Sequence, residues 1–227
     1  MKTLEEIYAA NTMTYDELAQ YGIVPNSSPA PWEGVQPEEE TDEERDERKQ
    51  RYLLQRMRDA GVPERFIDAE PDTSHDLTHG NGVILYGKQG SGKTTRAAGI
   101  IKGWLMENGG KAQFVTSADL LTEIGATYSG DTTELSVIRK YGKCGLLVID
   151  DLGKENPTDQ TLTKLWQVID TRYGALLPTV ITTQHDLTEL VRELGRKGRV
   201  ETAKAIASRL YETCKPVNTG TVDHRRK

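Results

Sequence analysis

Residues 83–95 constrain this chain more than any other stretch. Val83, Ile84, Leu85 and Tyr86 make an apolar run, and Gly87-Lys-Gln-Gly90-Ser91-Gly92-Lys93-Thr94-Thr95 follows at once. This is a G-x-x-x-x-G-K-[ST] pattern. Its glycines let the backbone curl so that successive N–H groups converge on phosphate oxygens. A helix opening near Lys93 adds the partial positive charge of its N-terminus. Gly87, Gly90, Ser91, Gly92 and Thr95 then belong to the cradle, Lys93 reaches the β- and γ-phosphates, and the Thr94 hydroxyl binds Mg²⁺. A chance glycine-rich turn would need neither the apolar run before the loop nor the helical run at 95–106 after it, and both are present.

The chain has 227 residues, room for one good-sized domain and an appendage. With 28% charged and 36% hydrophobic residues it reads as soluble and globular. No stretch approaches the ~18 apolar residues of a membrane span, and the start lacks the apolar core of a signal peptide. Cys144 and Cys214 lie far apart, which points to a reducing compartment, the cytoplasm, and to no disulfide framework. Cys144, just before an apolar run, fits a small core residue. His75 and His79 lack the cysteine partners and helix period a metal site would show. Charge is uneven. Residues 1–80 hold 8 basic and 19 acidic residues, a balance of −11, and residues 81–227 hold 21 and 16, a balance of +5. The front of the chain should repel nucleic acid, and the back can tolerate or attract it.

Residues 3–20 fit one or two short helices, with Thr3/Glu6 and Thr14/Glu17 as capping boxes. Residues 22–37, with four prolines, read as a linker. Residues 38–51 are a charge run, either a solvated or disordered acidic segment or a docking surface. Tyr52, Leu53, Arg56 and Met57 continue a helix that stops at Gly61, before Pro63. Three regions result: an arm over 1–50, a lead-in over 51–80 and a nucleotide domain over 81–227. Within the last, strands are expected at 83–86, 112–116, 146–150, 179–183 and 215–218. Helices are expected at 95–107, from about 119, at 132–141, 159–173, 187–194 and 201–212. Such alternation argues for a parallel sheet covered on both faces.

Leu146-Leu-Val-Ile-Asp150-Asp151 buries a strand and delivers two carboxylates at its C-terminal end, where ligands sit in open α/β sheets. Asp150 is placed to hold Mg²⁺ and Asp151 to polarise the attacking water; alone, the pair could simply cap the turn at Leu152-Gly153. Gln184, ending the strand at 179–183, either contacts the γ-phosphate or starts a turn. Arg209 is either a solvated arginine or one that senses the phosphate of a neighbouring copy.

These residues together resemble the bacterial helicase-loader ATPases of the DnaC/DnaI type and their IstB-like transposition relatives, which are AAA+ proteins. The resemblance rests on the glycine loop, on Leu-Leu-Val-Ile-Asp150-Asp151-Leu-Gly153, and on Asp170-Thr-Arg-Tyr173. Pro178-Thr-Val-Ile-Thr-Thr183, Ala207-Ser-Arg209-Leu210, Asp223-x-x-Arg226 and the lead-in Gly-Val-Pro-Glu-Arg-Phe66 complete it, so it covers residues 52–226. It implies an AAA+ P-loop core with a five-stranded parallel sheet flanked by helices, in which the strand ending at Asp150 lies between those ending at Tyr86 and Thr183. It implies ATPase activity with ATP and Mg²⁺. It implies that Gln184 is the sensor 1 residue, that Arg209 is an arginine finger for a neighbouring subunit, and that Arg226 is the nucleotide-contacting sensor 2 arginine. Its partners would be a hexameric DnaB-like replicative helicase, bound through the arm, and single-stranded DNA.

The chain departs from the family pattern in three ways. Gln184 replaces the usual asparagine, Asp151 stands where glutamate is common, and Arg196, Lys197, Arg199 and Lys204 are extra cations that either touch DNA or solvate a loop. The first two departures suggest slow hydrolysis, and Arg226 so near the end of the sequence leaves a minimal lid. The rival readings are a transposition helper acting on duplex DNA, a small-molecule P-loop kinase, and a protein that holds ATP without hydrolysing it.

Overall fold

The computed structural model describes residues 41–126, 134–154, 158–196 and 200–220. The expected helices at 3–20, the linker at 22–37, Lys197, Arg199 and Arg226 lie outside the described residues. Two compact units divide the chain, Met1–Arg45 and Asp46–Lys227. Of the first, residues 41–45 are described. There the Thr41 hydroxyl accepts from the Glu44 N–H at 3.2 Å, and the Glu44 carboxylate accepts from the Thr41 N–H at 2.9 Å. This reciprocal cap opens helix α1 (Asp42–Asp59).

In the second unit, a 3₁₀ turn (Glu64–Phe66) precedes strands separated by one or two helices. Strand β1 (Gly82–Tyr86) feeds α2 (Lys93–Glu107), then β2 (Ala112–Thr116), α3 (Ser117–Ala126) and α4 (Glu134–Gly142). Strand β3 (Leu146–Asp150) feeds α5 (Asp159–Gly174), and β4 (Thr179–Thr183) feeds α6 (Leu187–Leu194), α7 (Val200–Thr213) and β5 (Cys214–Asn218). Caps start helices where the sequence supplies them. Thr158 accepts from the Thr161 N–H ahead of α5, and Asp186 accepts from the Glu189 N–H ahead of α6.

The five strands form one parallel sheet in the order β2-β3-β4-β1-β5. This corrects the expected order, which put β3 between β1 and β4. Instead β4 lies between the other two: Val83 sits opposite Val180, and Leu147 opposite Thr179. The handedness rule fixes the direction of a parallel crossover but not how many strand positions it skips. The chain leaving β1 through α2 passes two positions to reach the edge, and β3 and β4 then fill inward.

Every residue of β3 and β4 is buried, and β1 is buried up to Tyr86. Side chains alternate across the pleat. Ile84, Leu147, Ile149 and Ile181 enter a core with residues from α3 to α7, including Leu162, Leu165, Leu190 and Ile206. Val83, Leu85, Leu146, Val148 and Val180 enter the opposite core, with Ala97, Ile100 and Ile101 of α2 and Met57, Ala60 and Val62 of the lead-in.

Two arginines fasten this framework. Arg56 of α1 donates to the carbonyl oxygens of Leu105, Asn108 and Gly110 at 2.7, 2.9 and 2.6 Å, capping the C-terminal end of α2. Arg172 of α5 is 1% exposed. It donates to the carbonyl oxygens of Tyr141, Cys144 and Pro178 and to the Thr179 hydroxyl. No helix among the described residues is long and apolar enough to cross a membrane.

Candidate nucleotide site

Because all five strands run parallel, their C-terminal ends share one edge, where α/β sheets hold ligands. The loop leaving β1 turns through Gly90 and Gly92 at φ 85° and 82°, backbone that side-chain-bearing residues rarely adopt. Gly92 stands at the N-terminal cap of α2 without a side-chain cap, so the first N–H groups of that helix are left to face a ligand. Lys93 is buried, and its ammonium donates to the carbonyl oxygens of Gly87 and Lys88, both at 2.9 Å. A phosphate oxygen offers full negative charge where these carbonyls offer dipoles, and so competes well for the ammonium.

Thr94 and Asp150 meet beneath the loop. The Thr94 hydroxyl lies 3.0 and 3.2 Å from the two Asp150 carboxylate oxygens. Thr182 of β4 donates its hydroxyl to Asp150 at 2.6 Å and accepts the Asp151 N–H at 2.8 Å. One buried threonine therefore holds the Asp150 carboxylate and the backbone of Asp151. Burial pushes the Asp150 carboxyl above its ordinary range, the Thr182 bond opposes this, and the Asp151 charge adds to it. Asp151 takes φ 60°, which turns its side chain out of the strand direction, and it pairs with Lys154 at 2.7 Å.

A threonine hydroxyl and a carboxylate are hard oxygen donors that fit Mg²⁺. Among the described residues no group of three or more His, Cys, Asp or Glu could hold a metal ion. Phosphate oxygens and water would have to complete the shell, as is usual for Mg²⁺.

Lys93, Thr94, Asp151 and Lys154 line an open cleft of about 420 Å³, with Asp150 beneath Thr94. Gly90, Gly92, Lys93, Thr94, Thr95, Asp151 and Gln184 all lie on its wall, so the sheet order brings the Gln184 end of β4 to the loop. Gly87 and Ser91 belong to the loop, but Ser91 turns its hydroxyl to Thr219 at 2.7 Å. Arg209 does not line the cleft: its Nε lies 3.1 Å from Asp170, and its guanidinium stacks over Tyr173 at 5.1 Å. Arg196 and Lys204 pair with Glu193 and Glu201.

Sequence reasoning missed three parts of the site. Thr182 was hidden in a β-branched run. Lys154 lay past the carboxylates. Arg65, Phe66, Asp68 and Ala69 of the lead-in form a second wall of the cleft. The lead-in Gly-Val-Pro-Glu-Arg-Phe66 carries part of the family resemblance, but nothing in its sequence points to a place in the cleft.

A strand, a glycine loop, a helix N-terminus and carboxylates on the next strand but one define a P-loop nucleotide-binding domain, and its solved neighbours make it an AAA+ fold. The crystal structure of the DnaC helicase loader superposes with a TM-score of 0.57 at 20% identity, covering 69% of this chain and 99% of that one. That of DnaI gives 0.55 at 22%, covering 78% and 85%. The chain belongs to the IstB-like ATP binding protein family, whose pattern matches residues 59–227. Among curated relatives, replicative helicase loader DnaC of Escherichia coli K12 is 28% identical over 115 residues, 50% of this chain and 46% of that protein. Its counterpart in Buchnera aphidicola subsp. Baizongia pistaciae is 26% identical over 136 residues, 59% and 55%. The chain thus spans about half the length of the curated relatives it matches.

Proposed function

We propose that this protein is a cytoplasmic, ATP-dependent loader that binds a replicative, hexameric DnaB-like helicase and places it on single-stranded DNA. The observation that carries this reading is the coincidence of an ATP-binding family match with relatives, in sequence and in fold, that are themselves named helicase loaders. The domain over 81–227 is the ATPase core, the segment 51–80 is its lead-in, and the acidic arm over 1–50 docks on the helicase.

ATP occupies the cleft, with the phosphates on the N–H groups of the loop and the N-terminus of α2. Lys93 exchanges its carbonyl partners for the β- and γ-phosphates. Thr94 and Asp150 would hold Mg²⁺, which would supply positive charge against the phosphates. Asp151, turned out by its left-handed backbone, accepts a proton from the attacking water, and Gln184 orients that water or the γ-phosphate. Lys154 holds the Asp151 carboxylate in an ion pair at 2.7 Å, a contact that competes with the attacking water for the carboxylate and fits slow hydrolysis. Arg226, outside the described residues, contacts the nucleotide as sensor 2.

Arg209 completes catalysis on another copy. A one-third exposed arginine that does not line its own cleft can be offered to a neighbour's. Arg209→Ala should therefore bind ATP normally but lose about a thousandfold or more of its ATPase activity, the scale of an arginine finger. Unchanged turnover removes the inter-subunit role.

The whole reading is tested by the mass of mixtures with the replicative helicase of the source, with ATP, without ATP, and with a variant lacking residues 1–50. A complex lost on truncation supports the loader and the docking arm. No complex under any condition, together with binding of duplex DNA, moves the assignment to the transposition helpers.

A further inference from the structure

Beyond β5, the backbone continues alongside β1 for one more residue. The Thr219 N–H donates to the Tyr86 carbonyl at 2.9 Å, one step past the Tyr86–Asn218 pair that closes the β1–β5 ladder. The Thr219 hydroxyl donates to the same carbonyl at 3.1 Å. A hydroxyl carries one proton, so with that proton on Tyr86, Ser91 is the donor across its 2.7 Å contact with Thr219. Ser91 is buried, and its own N–H reaches back to the Lys88 carbonyl at 3.3 Å. One side chain from the far end of the chain thus bridges the residue before the glycine loop and a residue inside it.

Packing says the same. A Cβ at Gly87 would come within 2.8 Å of both the Thr219 hydroxyl and the Gly220 carbonyl. The first glycine of the loop is therefore needed as much for this strap as for its turn. The strap is anchored in turn, since the Gly220 N–H donates to the Asn218 side chain at 2.8 Å. Nothing in the G-x-x-x-x-G-K-[ST] pattern calls for Thr219, which lies outside it by more than a hundred residues.

We propose that Thr219 is a positioning residue for nucleotide binding: through Ser91 and Tyr86 it holds the glycine loop in its phosphate-ready curve and ties that curve to the strand from which the C-terminal residues depart. This rests on the ATP-binding reading of the cleft. A loop held in advance loses less freedom when phosphate arrives, so the bridge acts on affinity.

The test compares Thr219→Val, Thr219→Ser, Ser91→Ala and the Thr219→Val/Ser91→Ala double variant, in the full chain, by equilibrium binding of ATP and by thermal unfolding without nucleotide. Valine keeps the shape and removes the hydroxyl; serine keeps the hydroxyl. Thr219→Val should weaken ATP binding about three- to tenfold, the scale of one neutral hydrogen bond. Thr219→Ser should restore most of it. Ser91→Ala spares the Thr219–Tyr86 bond and should lose no more than Thr219→Val, and the double variant should be no weaker than Thr219→Val, because both substitutions break the same bridge to the loop. The nucleotide-free melting temperature should fall by only a few degrees, the scale of the same hydrogen bond; a much larger fall would make the bridge a general structural tie and overturn the positioning role.

Wild-type ATP affinity in Thr219→Val overturns the proposal, and so do additive losses in the double variant. So does a loss of affinity that serine does not restore. A wild-type chain that binds no ATP overturns the reading of the cleft, and the positioning role with it; an unaffected Thr219→Val in a chain that binds ATP removes the positioning role alone.

Discussion

Lys93→Ala reduces ATP affinity by at least about a hundredfold, to the point of abolished binding in calorimetry or fluorescent-nucleotide titration. The size follows from what the ammonium is worth to a phosphate. Each charge-assisted hydrogen bond contributes about 1.5–3 kcal/mol, and Lys93 is placed to make more than one. Its present partners are the Gly87 and Lys88 carbonyls, on the loop itself, so the residue is already drawn to where the phosphates come. Alanine keeps helical propensity at the first position of α2, and the variant should remain folded by circular dichroism. Binding at wild-type affinity would mean that the loop is not the phosphate site.

Arg172→Leu has the largest expected effect on stability, a loss of about 3–5 kcal/mol from several buried acceptors losing their donor. Leucine fills much of the space but offers no donor. The Tyr141, Cys144 and Pro178 carbonyls would be left in the interior with their main side-chain partner gone, and each unsatisfied buried acceptor costs about 1–3 kcal/mol. Burial pulls the Arg172 guanidinium below its ordinary pKa, while the neighbouring Cys144 opposes that shift. The counterweight to the buried charge is thus a ring of neutral acceptors that a hydrophobic substitution cannot take with it. At about 2–4 °C per kcal/mol for a domain this size, the melting temperature should fall by roughly 10 °C. A fall of under about 2 °C would show that the guanidinium contributes little beyond its own desolvation cost.

What could be read from the sequence was whatever is encoded locally. Val83 to Thr95 carries strand, turn and helix start in one run, and Leu146 to Asp150 is too apolar to be anything but a covered strand. Asp150 and Asp151 were legible because the end of such a strand is where a parallel sheet meets its ligand. The strand order was not legible, since α2 has the same pattern whether its crossover skips one position or two. Thr182 could not be singled out, because its partner Asp150 sits on a different strand and a β-branched run gives no sign of which hydroxyl will be used. Arg172 stood inside a quoted motif, Asp170-Thr-Arg-Tyr173, and its burial became visible only when two separate chain segments, 141–144 and the one at Pro178, turned their carbonyls toward it. The lead-in residues Arg65 and Phe66 reach the cleft through tertiary folding alone.

The Arg56 clasp has a mechanical consequence. Helix α2 has 15 residues and is therefore about 22 Å long. One end carries the glycine loop, and at the other Arg56 of α1 grips the Leu105 carbonyl in the last turn and those of Asn108 and Gly110 just beyond it. A hydrogen-bonded helix resists compression along its axis far more than bending, so α2 is a strut with a load point at each end. A force that tilts α1 must either tear Arg56 from three carbonyls or move the strut, and whatever moves the strut moves the floor of the nucleotide cleft.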